Sequence, residues 1–360
     1  MLLLSFSLCP MAALACNVPV FRYALERWTP EAYQVAVFHR GPLATNEQAL
    51  VKTLEKISDD AAANFVIQQI DVSAPMPVPL QTVWKAQTNC SLPWLVVQYP
   101  PANEADQPVW TGPLTAEAAR LLRESPARLG LVSRLVHGQS AVWLLLESGE
   151  REQDEAAAKL LNVESRRIEK SLQLPEPDPS DPRMRSDLPL RIAFSTMRVS
   201  RNDPAEQMLV NMLLRLDAEW GAVKEPMVFT VFGRGRALPP LTGKNLAGAA
   251  LNSVAEFIAG ACSCEVKSMN PGFDLLLAAD WDALIEGRTV KDPQPPPLTG
   301  MLGLGSPTNR AVLATAPVSD LPGPTTNSRL VRNLGFVFGL AILGLAAATF
   351  LFVLARKPNR

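Results

Sequence analysis

The sequence predicts an α/β protein: one α/β domain, a second after a Pro-rich linker, a Pro-rich stalk and a single C-terminal transmembrane helix. Three observations carry this. Short β-branched and aromatic runs alternate with stretches of helical period. Prolines at 175, 177, 179 and 182 interrupt the chain. Residues 334–355, LGFVFGLAILGLAAATFLFVLA, contain no charge.

The bulk composition sets limits on function. Of 360 residues, 48% are apolar, enough for sizeable cores. Lys plus Arg number 34 against 35 Asp plus Glu, without long blocks of one sign. That argues against nucleic-acid binding, which needs clustered basic residues to neutralise phosphates. Histidine is limited to His39 and His137.

The first domain is expected over residues 16–173. Residues 33–41, YQVAVFHRG, alternate as a strand and end at Gly-Pro. A helix follows, with Thr45 and Gln48 in capping-box spacing and Leu50, Val51, Leu54 and Ile57 on one face. Residues 64–72 and 92–101 read as further strands, the latter with Pro93 at its start. PVWTG suggests an edge strand, and a helical stretch begins at Thr115. Residues 141–149 form a buried strand followed by a helix carrying Leu160, Leu161 and Ile168.

Residues 174–187 read as the linker, and 188–290 as the second α/β domain. Its strands are expected at 190–199, 227–233 and 274–280, with a helix at 247–259. Asp203-Pro204-Ala205-Glu206 opens another helix, with an N-cap, Pro at N1 and Glu at N3. Met208, Leu209, Met212, Leu213, Leu216 and Trp220 form its expected buried stripe. Residues 291–329 are rich in Pro, Gly, Ser and Thr and read as a stalk.

Both ends point to a membrane. Residues 1–15 are short and apolar and close on Ala13-Leu14-Ala15, the pattern of a signal peptide. No Lys or Arg precedes Arg22, which leaves the true translation start open. Cys16 follows directly and is a candidate for lipidation, although Ala13 stands where a lipobox usually has Leu. Residues 334–355 are long enough to cross a hydrocarbon core of about 30 Å. The tail 356–360 contains Arg356, Lys357 and Arg360, which the positive-inside rule places in the cytoplasm. The expected location is the cell membrane, single-pass, with the body on the periplasmic side. Gly335 and Gly339 form a Gly-x-x-x-Gly, a candidate face for a homodimer through the anchor.

The order of elements over residues 31–124 resembles the thioredoxin-like superfamily. In that superfamily a proline, usually cis, precedes the third core strand, as Pro93 does here. The resemblance implies a Cys-x-x-Cys after the first strand, but this chain reads FHRGPLATNE there. The redox motif is therefore missing from this domain. CNVPVFRYALERW and ACSCEVKSMNPG are similar to segments in a group of bacterial membrane-anchored extracytoplasmic proteins. That similarity supplies no activity.

Several motifs are candidates for chemistry. GRGRALPPLTGKN, residues 233–245, contains Gly-Lys but has Leu238 and Asn245 where a phosphate loop needs Gly and Ser or Thr. Arg234, Arg236 and Lys244 remain candidates for an anionic partner. His39 and His137 lack a nucleophile-elbow context, and Asp280 or Asp282 fits a helix cap better than acid–base catalysis. Cys16, Cys90, Cys262 and Cys264 form an even set in an oxidising compartment, and the pairing stays open. Cys262 and Cys264, with Met269, are weak candidates for a soft metal. No catalytic residue and no cofactor is predicted.

The expected function is non-catalytic: a membrane-anchored extracytoplasmic binding or scaffold protein with an unknown protein partner, accessory to a transport or envelope complex. The alternative is a thiol–disulfide or soft-metal-handling protein acting through Cys262 and Cys264.

Overall fold

Strand β1 (Tyr33–His39) alternates as its sequence requires. Tyr33, Val35 and Val37 enter one core, while Ala36 and Phe38 enter another. In this computed structural model residues 18–60, 62–176, 188–261 and 266–285 are described. They fall within one compact unit. The protein is α/β with two mixed sheets.

The first sheet has the order β2-β1-β3-β4. β1 runs parallel to β2 (Phe65–Asp71) and antiparallel to β3 (Trp94–Gln98), which pairs antiparallel with β4 (Trp110–Pro113). The Leu92–Pro93 peptide before β3 is cis. Helix α2 (Thr45–Asp59) buries Val51 and Leu54. Its N-cap is Ala44, whose N–H donates to Glu47 Oε2 at 2.8 Å. The expected Thr45–Gln48 box is thus displaced by one residue and reduced to its carboxylate half. Helix α3 (Val78–Lys85) covers the opposite face, where Leu80, Val83 and Trp84 pack on Phe38 and Ile70. Helix α4 (Ala116–Arg123) is capped by Thr115, which accepts from the Ala118 N–H.

The second sheet repeats this wiring. Strand β5 (Ala141–Glu147) runs parallel to β6 (Phe194–Ser200) through helix α6 (Arg151–Ser171). It runs antiparallel to β7 (Met227–Phe232), which pairs antiparallel with β8 (Arg236–Ala237). The order is β6-β5-β7-β8, with short β10 (Phe273–Asp274) beyond β8 and β9 (Leu241–Thr242) on β7. Middle strand, parallel neighbour, antiparallel neighbour and antiparallel edge recur in the same sequence as in the first sheet. β5 is buried on both faces: Val142, Leu144 and Leu146 join the core shared with the first sheet, and Trp143 and Leu145 join the other. Trp143 stacks on Phe194 with centroids 5.1 Å apart and donates to Ser165 Oγ at 2.9 Å.

This wiring corrects the expected domain boundary. β5 and α6 were placed with the first domain, yet they build the centre of the second sheet. The Pro-rich run 174–187 lies between α6 and β6, inside one crossover. Helix α5 (Pro126–Val136), capped by Ser125, packs on β5 and leads into the second sheet.

Helix α1 (Val20–Arg27) lies at the other end of the chain but joins the second sheet, packing on α9 (Gly248–Ala259) and β7. Helix α7 (Gln207–Leu214) buries Met208, Leu209, Met212 and Leu213, but ends before Leu216. Trp220 stands on a separate short helix, α8 (Ala218–Ala222). The expected strand at 274–280 is confined to β10, after which a buried segment leads to α10 (Trp281–Ile285).

Among the described residues no helix is long and apolar enough to cross a membrane. The signal-like start, Cys16, most of the Pro-rich run, Cys262, Cys264, the stalk, residues 334–355 with Gly335 and Gly339, and the basic tail lie outside the described residues.

Candidate functional site

Gly233 and Gly235 make the tight β7–β8 turn at φ of 58° and 88°, in the left-handed region. A Cβ at Gly233 would meet the Ala24 Cβ at 2.6 Å, and one at Gly235 would meet Leu277 at 2.4 Å. This close approach explains the Gly-Arg-Gly-Arg sequence, and it turns both arginines inward. Arg234 donates to the carbonyl oxygens of Leu25 and Glu26 at the end of α1 and pairs with Asp282 at 2.6 Å. Arg236 is buried. Its guanidinium donates to the carbonyls of Pro271 and Asn270, pairs with Asp274 at 3.2 Å, and lies 5.7 Å from the Trp28 ring centroid. The trio Arg234, Arg236 and Lys244 is therefore no open anion site: two members hold the fold, and Lys244 is exposed on a separate 3₁₀ turn.

Asp274 is the hub of this region. Its carboxylate accepts from the Glu31 N–H at 2.7 Å and from Arg236, and pairs with Lys267. Lys267 also reaches the Thr29 carbonyl at 2.8 Å and lies 3.6 Å from the Glu31 carboxylate. Two cations and two carboxylates thus balance where the segment leading into β1 meets the β8–β10 edge.

Beside this network opens a cleft of about 420 Å³, walled by Glu31 and Asn103 from the first sheet's loops and by Arg236 and Ser268 from the second. Two aromatic rings line it, Trp220 and Phe273, with centroids 5.8 Å apart. Both pack on the buried Phe229, at 5.8 and 6.5 Å. The size falls in the range of small-ligand sites. Because the charges are compensated within the wall, the groups left to read a ligand are neutral: the Trp220 ring, the Asn103 amide and the Ser268 hydroxyl.

Two tyrosines tie the first sheet to elements of the second unit, one to β10 and one to α7. Tyr33 Oη donates to the Asp274 carbonyl at 2.8 Å, and Tyr99 Oη lies 2.9 Å from the carbonyls of both Asn211 and Met212. Burial raises both phenol pKa values well above the usual range, with neighbouring negative charge adding to the effect at Tyr33. Arg128 of α5 is also buried. It donates to the carbonyls of Leu122 and Leu276 and to Leu121, and burial pulls its pKa down to about 10. Asp203 caps the 3₁₀ turn Pro204–Glu206 as expected, accepting from the Ala205 N–H, and Glu206, its third residue, also accepts from Ser125 Oγ and the Ala127 N–H, which ties the start of α7 to α5.

The other sequence candidates are dispersed. His39 Nδ1 lies 2.8 Å from the Gly41 carbonyl, and His137 Nδ1 lies 2.6 Å from the Ser133 carbonyl. Asp280 caps α10 by accepting from the Ala283 N–H at 3.0 Å. Met269 is 74% exposed, and Cys90 is a free thiol. No group of three or more metal-ligating side chains occurs among the described residues. Sequence reasoning missed the cleft. No local pattern signalled it: Trp220 continues the spacing of Leu209, Leu213 and Leu216 and so reads as part of the same helical stripe. Comparison with known proteins finds no family model, curated protein or solved structure that matches this chain.

Proposed function

We propose that this protein is a membrane-anchored extracytoplasmic binding or scaffold protein, built on two thioredoxin-like units and held at the cell membrane by residues 334–355. The recurring wiring of the two sheets supports the thioredoxin-like reading. The first unit has no cysteine in the turn after β1, where that superfamily carries its redox pair. The observation that carries the binding role is the cleft between the units, with two aromatic rings in its lining and walls whose charges are already paired. Such a site recognises shape and backbone polar groups. It suits an extended, weakly charged protein segment from a membrane-associated partner.

The test is site-specific photo-crosslinking of the full chain in native membranes. A benzoylphenylalanine at Asn103 or Ser268 should capture one discrete partner, and the same probe at Val163 on α6 should not. Capture should be lost when Trp220→Ala is added. Equal capture from Val163, or capture indifferent to Trp220→Ala, overturns the assignment of the cleft.

A further inference from the structure

We propose that a second copy of this chain docks along β2, pairing the two β2 strands antiparallel about Gln68. β2 is an edge strand: among the described residues it pairs with β1 and with nothing on its other side. The ladder bonds fix which backbone groups point outward. The Tyr33 N–H donates to the Asn64 carbonyl, and the Val72 N–H donates to the His39 carbonyl. In a parallel ladder of this register alternate residues bond the neighbour, so Val66, Gln68 and Ile70 turn their backbone groups to β1. Phe65, Ile67, Gln69 and Asp71 turn theirs away. The ends of that outer row are closed locally. The Phe65 N–H donates to the Ala63 carbonyl at 3.0 Å, and the Phe65 carbonyl accepts from Ser58 Oγ at 3.0 Å. The Asp71 carbonyl accepts from the Ala74 N–H at 3.1 Å. Between them, Ile67 and Gln69 have backbone groups without a partner among the described residues.

The equivalent edge of the second sheet is guarded. On β6, Glu169 accepts from the Phe194 N–H at 2.7 Å, and Arg134 donates to the Thr196 carbonyl at 2.9 Å. Arg198 pairs with Glu147 and Glu155. Charged side chains placed in this way keep a sheet edge from pairing. Residues 65–70, FVIQQI, carry no charge and no proline. An open edge of that kind accepts an extended strand through main-chain hydrogen bonds.

The symmetry of the open stretch selects a second copy as that strand. A twofold contact joins one patch to itself. With the axis at Gln68, Ile67 lies opposite Gln69 of the second copy, and every open group of both strands finds a partner. Val66, 46% exposed, falls opposite the apolar Ile70 of the second copy, and Gln68 meets Gln68. Charge permits the contact. Asp71 ends about 20 Å from its counterpart, six rises along the paired strands. On the adjacent α2, Lys56 already pairs with Asp60, and Glu55 accepts from Gln69.

The experiment uses the full chain in detergent, in a glutathione redox buffer, with one cysteine added and the native cysteines kept. Gln68 meets its counterpart at a non-hydrogen-bonded position, where Cα atoms lie about 4.5 Å apart, within the disulfide range of about 4.4–6.8 Å. Gln68→Cys should therefore give a linked dimer, and trypsin should release two copies of peptide 57–85 joined at position 68. Val66→Cys, with counterparts about 13 Å apart, should link about tenfold less, and so should Val163→Cys on α6. Gln69→Pro removes an outward N–H that β1 does not use, which an edge strand tolerates. Added to Gln68→Cys, it should cut the linkage about tenfold while urea unfolding stays cooperative. The proposal is overturned by no link at position 68, by equal linkage from Val66→Cys or Val163→Cys, or by linkage that persists in a folded Gln69→Pro chain. If the proline variant fails to fold, the ratio of linkage at 68 to that at 66 decides alone. Benzoylphenylalanine at Gln68 in native membranes should capture a second copy, and capture of a different protein in its place also overturns the proposal. No outcome depends on the binding role of the cleft.

Discussion

The two sheets share one wiring but secure the turn after their central strand differently. After β1 the turn is held nearer the surface: His39 contacts the Gly41 carbonyl, and the half-buried Glu47 accepts from the Ala44 N–H at the start of α2. After β5 it is held from inside. Asp154, buried in the first turn of α6, accepts from the Ser148 N–H, the Ser148 hydroxyl and the Gly149 N–H at 2.7–3.0 Å. In both units a carboxylate of the chain already occupies the positive end of the helix, where a thiolate or bound anion would otherwise be favoured. The comparison teaches that in neither unit is this helix start left open to an anion, which is why the binding role is proposed for the junction instead.

The largest effect is expected at that junction. Asp274→Ala leaves Arg236 and Lys267 facing each other without their shared carboxylate, at a cost of about 3–5 kcal/mol. Urea unfolding of the full chain in detergent should show it as a lowered midpoint.

Within the units the contrast becomes quantitative. Asp154→Ala orphans two N–H groups and a hydroxyl and should cost about 3 kcal/mol. Glu47→Ala removes a half-buried cap and should cost about 0.5–1 kcal/mol. Equal losses in the same urea series would mean that the two turns are secured alike.

Much of this architecture was legible from residue pattern, and the failures have physical causes. The strands at Tyr33, Phe65, Trp94, Ala141, Phe194 and Met227 all announce themselves by alternation or by short apolar runs. The grouping of those strands did not. Four prolines in a run without apolar period look the same in a crossover as between domains, so β5 and α6 were placed on the wrong side of a boundary. Helices α1 and α3 were missed because each is a short segment with prolines beside or inside it. The site was least legible. Arg236, Lys267, Asp274 and Glu31 are scattered along the chain, and only tertiary pairing makes them one network.

A smaller effect sharpens the role of the tyrosines that join the units. Tyr99→Phe removes the hydroxyl facing the Asn211 and Met212 carbonyls and should cost about 1 kcal/mol. The pH dependence follows from the same two groups. The folded phenol pKa values of Tyr33 and Tyr99 lie above the unfolded value of about 10. The folded chain therefore holds protons that the unfolded chain loses. Their contribution is complete below about pH 10 and declines as pH rises beyond it. Urea midpoints measured from pH 8 to pH 11 should fall at the alkaline end, and the fall should be shallower in Tyr99→Phe.

The central claim, that the junction cleft is the recognition surface, is tested most directly by hydrogen exchange on the full chain with and without its captured partner. The account predicts slowed exchange around residues 101–104, 216–220 and 268–273, with α6 and β6 unchanged. Slowing confined to α6 and β6, with those three segments unaffected, would contradict it.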